Sequence, residues 1–232
     1  MDKSGKIAVL TYTVKHRKTY DLLCLLKANG FSEVSVYAAP LSYKKKFCPI
    51  YQHRPEMVFN IPAPAELCRN LGYKFYEGPI DAFNIDRESI VLIAGAGLLP
   101  ESFIKNHKII NAHPGIIPES RGLDALKWAI IENKPVGVTT HFIGEYVDAG
   151  LVIEKRYIDV LPADTFHALA QRVYENEITM LVESLDKIDD SDFIFVSPGS
   201  TVVHKRMPRE IENGLLDAFV TYKRNHCKEV YI

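Results

Sequence analysis

The first 38 residues restrict the fold more than any other stretch. Ile7-Ala8-Val9-Leu10-Thr11-Tyr12 is an apolar run of strand length. After a basic turn, Val14-Lys15-His16-Arg17-Lys18, a helical pattern runs from Thr19 to Ala28 and stops at Asn29-Gly30. Val34 to Ala38 then alternates like a second strand. Two strands joined through a helix lie parallel, because the crossover returns the chain to the edge of the sheet from which it left. A parallel sheet has to be covered on both faces, so its central strands read as unbroken apolar runs, and Ser89-Ile90-Val91-Leu92-Ile93-Ala94 is such a run. The predicted class is α/β: a Rossmann-like, open, mostly parallel sheet with helices on both faces.

The remaining periodicity fills in that plan. It predicts short helices over 63–70 and 100–106, strands near Lys74-Phe75-Tyr76 and Lys108 to Asn111, and a helix from Leu123 to Asn133. Strands follow at Gly137 to Ile143 and Leu151 to Val160, then an amphipathic helix from Thr165 to Leu185. A polar break leads to a strand at Phe193 to Val196 and a last helix opened by Pro208, with Ile211, Leu215, Phe219 and Tyr222 on one face. The expected division is a domain over 1–187 and a short C-terminal extension over 188–232. That extension packs on the core or on a partner subunit, so a homodimer is one of two arrangements. Residues 40–62 hold four prolines and the Lys44-Lys45-Lys46 run, and read as a long surface excursion.

Several function classes are disfavoured. With 28 Lys and Arg against 29 Asp and Glu, the formal charge of −1 argues against a surface built to wrap nucleic acid or coat a membrane. No run approaches the roughly 18–20 apolar residues of a membrane span, and Met1 to Lys6 shows no cleavage-site pattern. Cys24, Cys48, Cys68 and Cys227 form neither a C-x-x-C pair nor a metal-ligand spacing. A cytoplasmic protein without disulfides or a metal site is expected. Gly95-Ala96-Gly97 opens like a dinucleotide fingerprint, but Pro100 stands where the third glycine belongs, and no G-K-[ST] follows any strand.

Ligands of open parallel sheets bind outside the carboxyl ends of the strands. Three side chains suited to proton and carbonyl chemistry fall there: Asn111, His113 and Asp148. In Asn111-Ala112-His113-Pro114-Gly115 a carboxamide and an imidazole stand two residues apart, and the Pro-Gly pair turns the chain directly afterwards. The amide N–H can hold a developing oxyanion, and the imidazole can take a proton.

Downstream come Pro118, Arg121-Gly122, Gly137-Val138-Thr139, His141, Asp148 and Gly150, in that order. From about Ile90 to Leu185 this succession resembles the catalytic domain of the formyltransferases that use 10-formyltetrahydrofolate. The departure is Pro114-Gly115-Ile116-Ile117, which alters the turn and leaves the three polar residues in place. The resemblance implies Asn111, His113 and Asp148 as catalytic residues acting on 10-formyltetrahydrofolate, with no metal. It implies a pterin pocket between Gly97-Leu98-Leu99 and the loop holding Gly144 and Tyr146. His141 is either a partner of the site or a core histidine.

The acceptor is inferred from the surroundings. The roughly 45 residues after Leu185 are not rich in short strands, unlike the barrel domain used for transfer-RNA formylation. The Gly-Ser-rich phosphate loop of glycinamide ribonucleotide formylation is replaced by Thr13 to Lys18. In these respects the chain resembles the sugar N-formyltransferases, and the resemblance implies a nucleotide-linked amino-deoxy sugar as acceptor, in surface glycan or nonulosonic acid biosynthesis. Lys15, His16 and Arg17, before a helix N-terminus, are expected to hold a phosphate of the acceptor, and Arg121 also to bind substrate. Trp128 packs either on substrate or in the core, and the 40–62 excursion is a candidate cover for the acceptor. The alternatives are a glycinamide ribonucleotide formyltransferase, a formyltetrahydrofolate hydrolase, and a binding module without activity.

Overall fold

A computed structural model describes residues 6–41, 48–55, 60–144, 146–188, 193–197, 199 and 201–227. Its strands are β1 (Ile7–Tyr12), β2 (Val34–Ala39), β3 (Lys74–Glu77), β4 (Ile90–Ile93), β5 (Lys108–His113), β6 (Arg121–Gly122), β7 (Gly137–Phe142), β8 (Gly150–Tyr157), β9 (Ile194–Val196) and β10 (Val203–His204). The helices are α1 (Arg17–Ala28), α2 (Pro64–Leu71), α3 (Glu101–Asn106), α4 (Ala125–Ile131), α5 (Phe166–Glu183), α6 (Arg209–Glu212) and α7 (Leu215–His226). Eight strands form one open sheet in the order β3-β2-β1-β4-β5-β7-β8-β9.

The pairings from β3 through β5 are parallel, as the helical crossovers require. From β5 to β9 they are antiparallel. The connection from β7 to β8, residues 143–149, is too short for a crossover and makes a hairpin. Alternation along the central strands sends apolar side chains to both faces. Ile7, Val9, Leu92, Ile110 and Val138 join a large core with Leu22 and Leu26 of α1, Leu126 of α4, Leu169 and Val173 of α5, and Phe219 of α7. Ala8, Leu10, Val91, Ile93 and Ile109 join a smaller one with Phe103 of α3.

The C-terminal stretch is woven into this body. β9 extends the sheet beside β8, and β10 pairs with β6, a two-residue strand too short to read from sequence. The helix expected after Pro208 is two helices: α6 ends at Glu212, and α7 buries Leu215, Phe219 and Tyr222 in the large core while Ile211 stays exposed. The Tyr222 hydroxyl donates to the Lys134 carbonyl at 2.8 Å. Lys127 and Glu212 form an ion pair with both side chains at 0% exposure. This apolar face therefore packs on the chain's own core.

Residues 48–55 of the excursion are likewise anchored. The Glu212 carboxylate accepts the N–H groups of Ile50 (3.0 Å) and Tyr51 (3.3 Å). Arg54 forks onto Glu177 of α5, which also holds Lys18 of α1 at 2.5 Å. The Lys44-Lys45-Lys46 run lies outside the described residues. Among the described residues no helix is long and apolar enough to cross a membrane.

Candidate active site

Asn111 and His113 share one face of β5, since Ile110 and Ala112 between them point into the large core. Register with β7 sets Asn111 opposite His141 and His113 opposite Thr139, so these four side chains stand on the same face. The strand expected to stop at Asn111 continues through His113, because β7 pairs with it to that point. The pair is thus mounted on the carboxyl half of a paired strand rather than on a turn beyond the rim.

Asp148 comes from the β7–β8 loop and has a left-handed backbone, φ 44°. Its Oδ1 lies 3.5 Å from His113 Nδ1 and 3.8 Å from His141 Nε2, and its Oδ2 accepts the Gly122 N–H at 2.8 Å. Asp148 therefore meets Asn111 and His113, distant from it in the chain, over one sheet face, with His141 among them.

The hydrogen bonds fix where protons sit. His113 Nε2 is 2.8 Å from the Ser120 carbonyl, which can only accept, so Nε2 carries a hydrogen and Nδ1 is the ring nitrogen turned to Asp148. His141 Nδ1 faces the Phe142 carbonyl at 3.2 Å and carries its hydrogen by the same reasoning. Burial pushes His141 down to about 4, so near neutral pH its Nε2 remains an acceptor and takes one N–H of the Asn111 carboxamide at 3.4 Å. Among the described residues the second amide hydrogen of Asn111 has no acceptor.

The turn after β5 was legible only as a turn, and its parts are backbone contacts that leave little trace in sequence. Thr139 Oγ1 donates to the Gly115 carbonyl (2.8 Å) and accepts from Ile117 N–H (3.1 Å). A Cβ on Gly115 would stand 2.6 Å from the Ser120 oxygen and 2.9 Å from His113 Nε2, so only glycine lets that imidazole reach that carbonyl.

Several expected substrate contacts are occupied by the protein itself. Arg121 is 3% exposed, and its guanidinium donates to the carbonyls of Val147 and Asp148 and to Thr201. Arg17 forks onto Asp21 at 3.0 and 2.7 Å. His16 meets Thr19, and burial, reinforced by Lys18 and Arg54, pushes its imidazole down to about 4, so it is uncharged near neutral pH. Lys18 is buried on Glu177, and Lys15 donates to Asn60. Each of these side chains in the basic turn thus already has a protein partner. Trp128 stacks on His204 (centroids 4.3 Å, 11° between planes) and donates to the Lys205 carbonyl.

The two loops expected around a pterin share an anchor in the smaller core. Ala96 and Leu99 from one, and Ile143 from the other, lean on the smaller core. Leu98 is 96% exposed, Tyr146 is about half exposed, and a side chain at Gly97 or Gly144 would meet open space. Among the described residues no group of His, Cys, Asp and Glu is arranged to hold a metal ion.

The formyl transferase family model matches residues 77–185. The GDP-perosamine N-formyltransferase of Brucella melitensis is 29% identical over 126 residues, covering 53% of this chain and 49% of that protein. Among solved structures, the formyltransferase PseJ from Anoxybacillus kamchatkensis, in complex with UDP-4,6-dideoxy-4-formamido-L-AltNAc and tetrahydrofolate, aligns with a TM-score of 0.52 at 18% identity, covering 86% of each chain. Glycinamide ribonucleotide transformylase 1 from Symbiobacterium toebii aligns with a TM-score of 0.55 at 20% identity, covering 80% of this chain and 87% of that one. The chain spans about half or less of the length of the curated relatives it matches, 35% in the case of a methionyl-tRNA formyltransferase from Thermodesulfovibrio yellowstonii. The segment 77–185, which carries Asn111, His113 and Asp148, matches the formyl transferase family, and it lies on a sheet of the same fold as these solved structures.

Proposed function

We propose that the protein is an N-formyltransferase that moves the formyl group of 10-formyltetrahydrofolate to the primary amine of a nucleotide-linked amino-deoxy sugar. The observation that carries this reading is the convergence of one carboxamide (Asn111), one imidazole whose Nε2 is held by a carbonyl so that Nδ1 faces the site (His113), and one carboxylate (Asp148) within a segment that matches the formyl transferase family.

The folate supplies an activated formyl group, and the residues do the rest. The free Asn111 N–H holds the oxyanion that develops on the formyl oxygen as an amine adds to the formyl carbon, a contribution of about 10²–10³ in rate. His113 Nδ1 takes the proton that the amine sheds and returns one to the departing nitrogen, worth about 10²–10⁴. Asp148, 3.5 Å away, faces the imidazolium that forms, while the Ser120 carbonyl holds the other ring N–H. The flat pterin fits between the loops at Gly97-Leu98-Leu99 and Gly144 to Tyr146, whose exposed apolar side chains would be covered by it.

The sugar acceptor is supported by a Brucella relative that acts on GDP-perosamine and a solved structure holding a UDP-linked formamido sugar. It is also supported by the β1–α1 turn, where no glycine-lined approach to a phosphate exists. The test is turnover of 10-formyltetrahydrofolate with a panel of nucleotide-linked amino sugars, with glycinamide ribonucleotide, and with no amine. A formamide of a sugar nucleotide, identified by mass, and its loss in Asn111→Ala and His113→Ala are expected. Formate release without amine would mean a hydrolase, and turnover untouched in His113→Ala would end the mechanism.

A further inference from the structure

We infer that Arg121 and Thr201 form a clamp that positions Asp148, so that the C-terminal stretch helps set the active-site carboxylate. The inference rests on the function proposed above for Asp148. Arg121 does not touch the reacting atoms and is a positioning residue.

Asp148 needs holding. Its backbone occupies the left-handed region, which is unfavourable for a residue with a Cβ. The loop around it has little apolar anchorage, since Tyr146 is 53% and Val147 is 52% exposed. Polar contacts from β6 take over. Arg121 Nε lies 3.0 Å from the Val147 carbonyl and 2.9 Å from that of Asp148, and its Nη2 lies 2.5 Å from Val147. The next residue, Gly122, donates its N–H to the Asp148 carboxylate. One two-residue strand thus grips both the backbone and the side chain of Asp148.

Arginine suits this position because its donors form a rigid planar fork that spans two carbonyls, whereas a lysine ammonium is a single point. The other side of the fork reaches the C-terminal stretch. Nη1 lies 3.4 Å from both the carbonyl and the hydroxyl of Thr201. Two residues on, β10 pairs Val203 with Arg121 and His204 with Gly122. Gly122 has φ 92°, and a Cβ there would stand 2.1 Å from the His204 oxygen, so β6 and β10 are fitted to each other at backbone contact. Residues 201–204 therefore fix β6, and β6 fixes Asp148.

The test compares Arg121→Lys and Thr201→Val with the wild type in the full chain. Steady-state kinetics are expected to show kcat lowered about 10–10²-fold for Arg121→Lys and a few-fold for Thr201→Val, with KM for both substrates little changed, as for a displaced catalytic group. Hydrogen exchange of the amides at 146–150 is expected to rise in both variants, a readout that needs no activity and stands even if the wild type transfers no formyl group to any acceptor. Unchanged exchange in folded Arg121→Lys would overturn the clamp. A raised acceptor KM at constant kcat would also overturn it, since Arg121 would then be a substrate contact. Should Arg121→Lys fail to fold, Thr201→Val carries both readouts.

Discussion

Gly115→Ala tests the geometry of the site with a single added methyl group. That methyl would stand 2.6 Å from the Ser120 carbonyl oxygen, 2.9 Å from His113 Nε2 and 3.0 Å from the Ala125 Cβ, against an ordinary contact of 3.4 Å. The overlap with the carbonyl is about 0.8 Å. Neither neighbour yields easily, because Ser120 N–H is bonded to the Ile116 carbonyl at 2.8 Å and Ala125 opens α4. The imidazole and the carbonyl must therefore move apart, and a displacement approaching 1 Å at a catalytic group costs about 10²-fold in rate. That is about 2.7 kcal/mol of lost transition-state stabilisation, beside a stability cost of about 1–3 kcal/mol for overpacking. The assay is steady-state formyl transfer on protein whose thermal transition shows that it is folded. The expected result is a fall in kcat with KM for the folate retained. A folded Gly115→Ala enzyme with kcat within a few-fold of wild type would refute the idea that the Ser120 carbonyl sets the working position of His113.

Two further outcomes follow from buried charge. His141 and His16 are both held neutral by burial, each down to about 4 from 6.5, so between these pH values the unfolded chain binds protons that the folded chain refuses. Stability is expected to be full above about pH 6.5 and to fall as pH drops towards 4. Thermal melts of His141→Gln should show a shallower fall than wild type, and identical slopes would contradict the assignment. Glu177→Gln leaves Lys18 and Arg54 without their shared carboxylate and is expected to lose about 3–5 kcal/mol in denaturant unfolding. A loss below about 1 kcal/mol would mean that the pair is not buried as described.

Local pattern carried much of the fold. Strand and helix periods depend on neighbours two to four residues away, so β1, α1, β2, β4, β7 and α5 fall close to where periodicity places them. Asn111 and His113 could be set together at the carboxyl end of a strand, although that strand was expected to stop at Asn111 and only pairing with β7 carries it through His113. The resemblance of 90–185 to the formyltransferases pointed to Asp148 as their companion, and the matched family segment spans all three.

The charged residues were not legible in the same way. Lys18 finds Glu177 across 159 residues, Lys127 finds Glu212 across 85, and Arg121 reaches Thr201 across 80. An arginine in a turn looks the same in sequence whether it waits for a phosphate or is already spent on two carbonyls. Hydrophobic period is a local property, and by itself it determined an α/β sheet with a carboxamide and an imidazole side by side. Which cations remain available, which nitrogen of His113 carries the proton, and what holds Asp148 in place depend on contacts between distant segments. Those were decided only when the chain closed on itself, because burial and hydrogen-bond geometry, unlike periodicity, are properties of the assembled body.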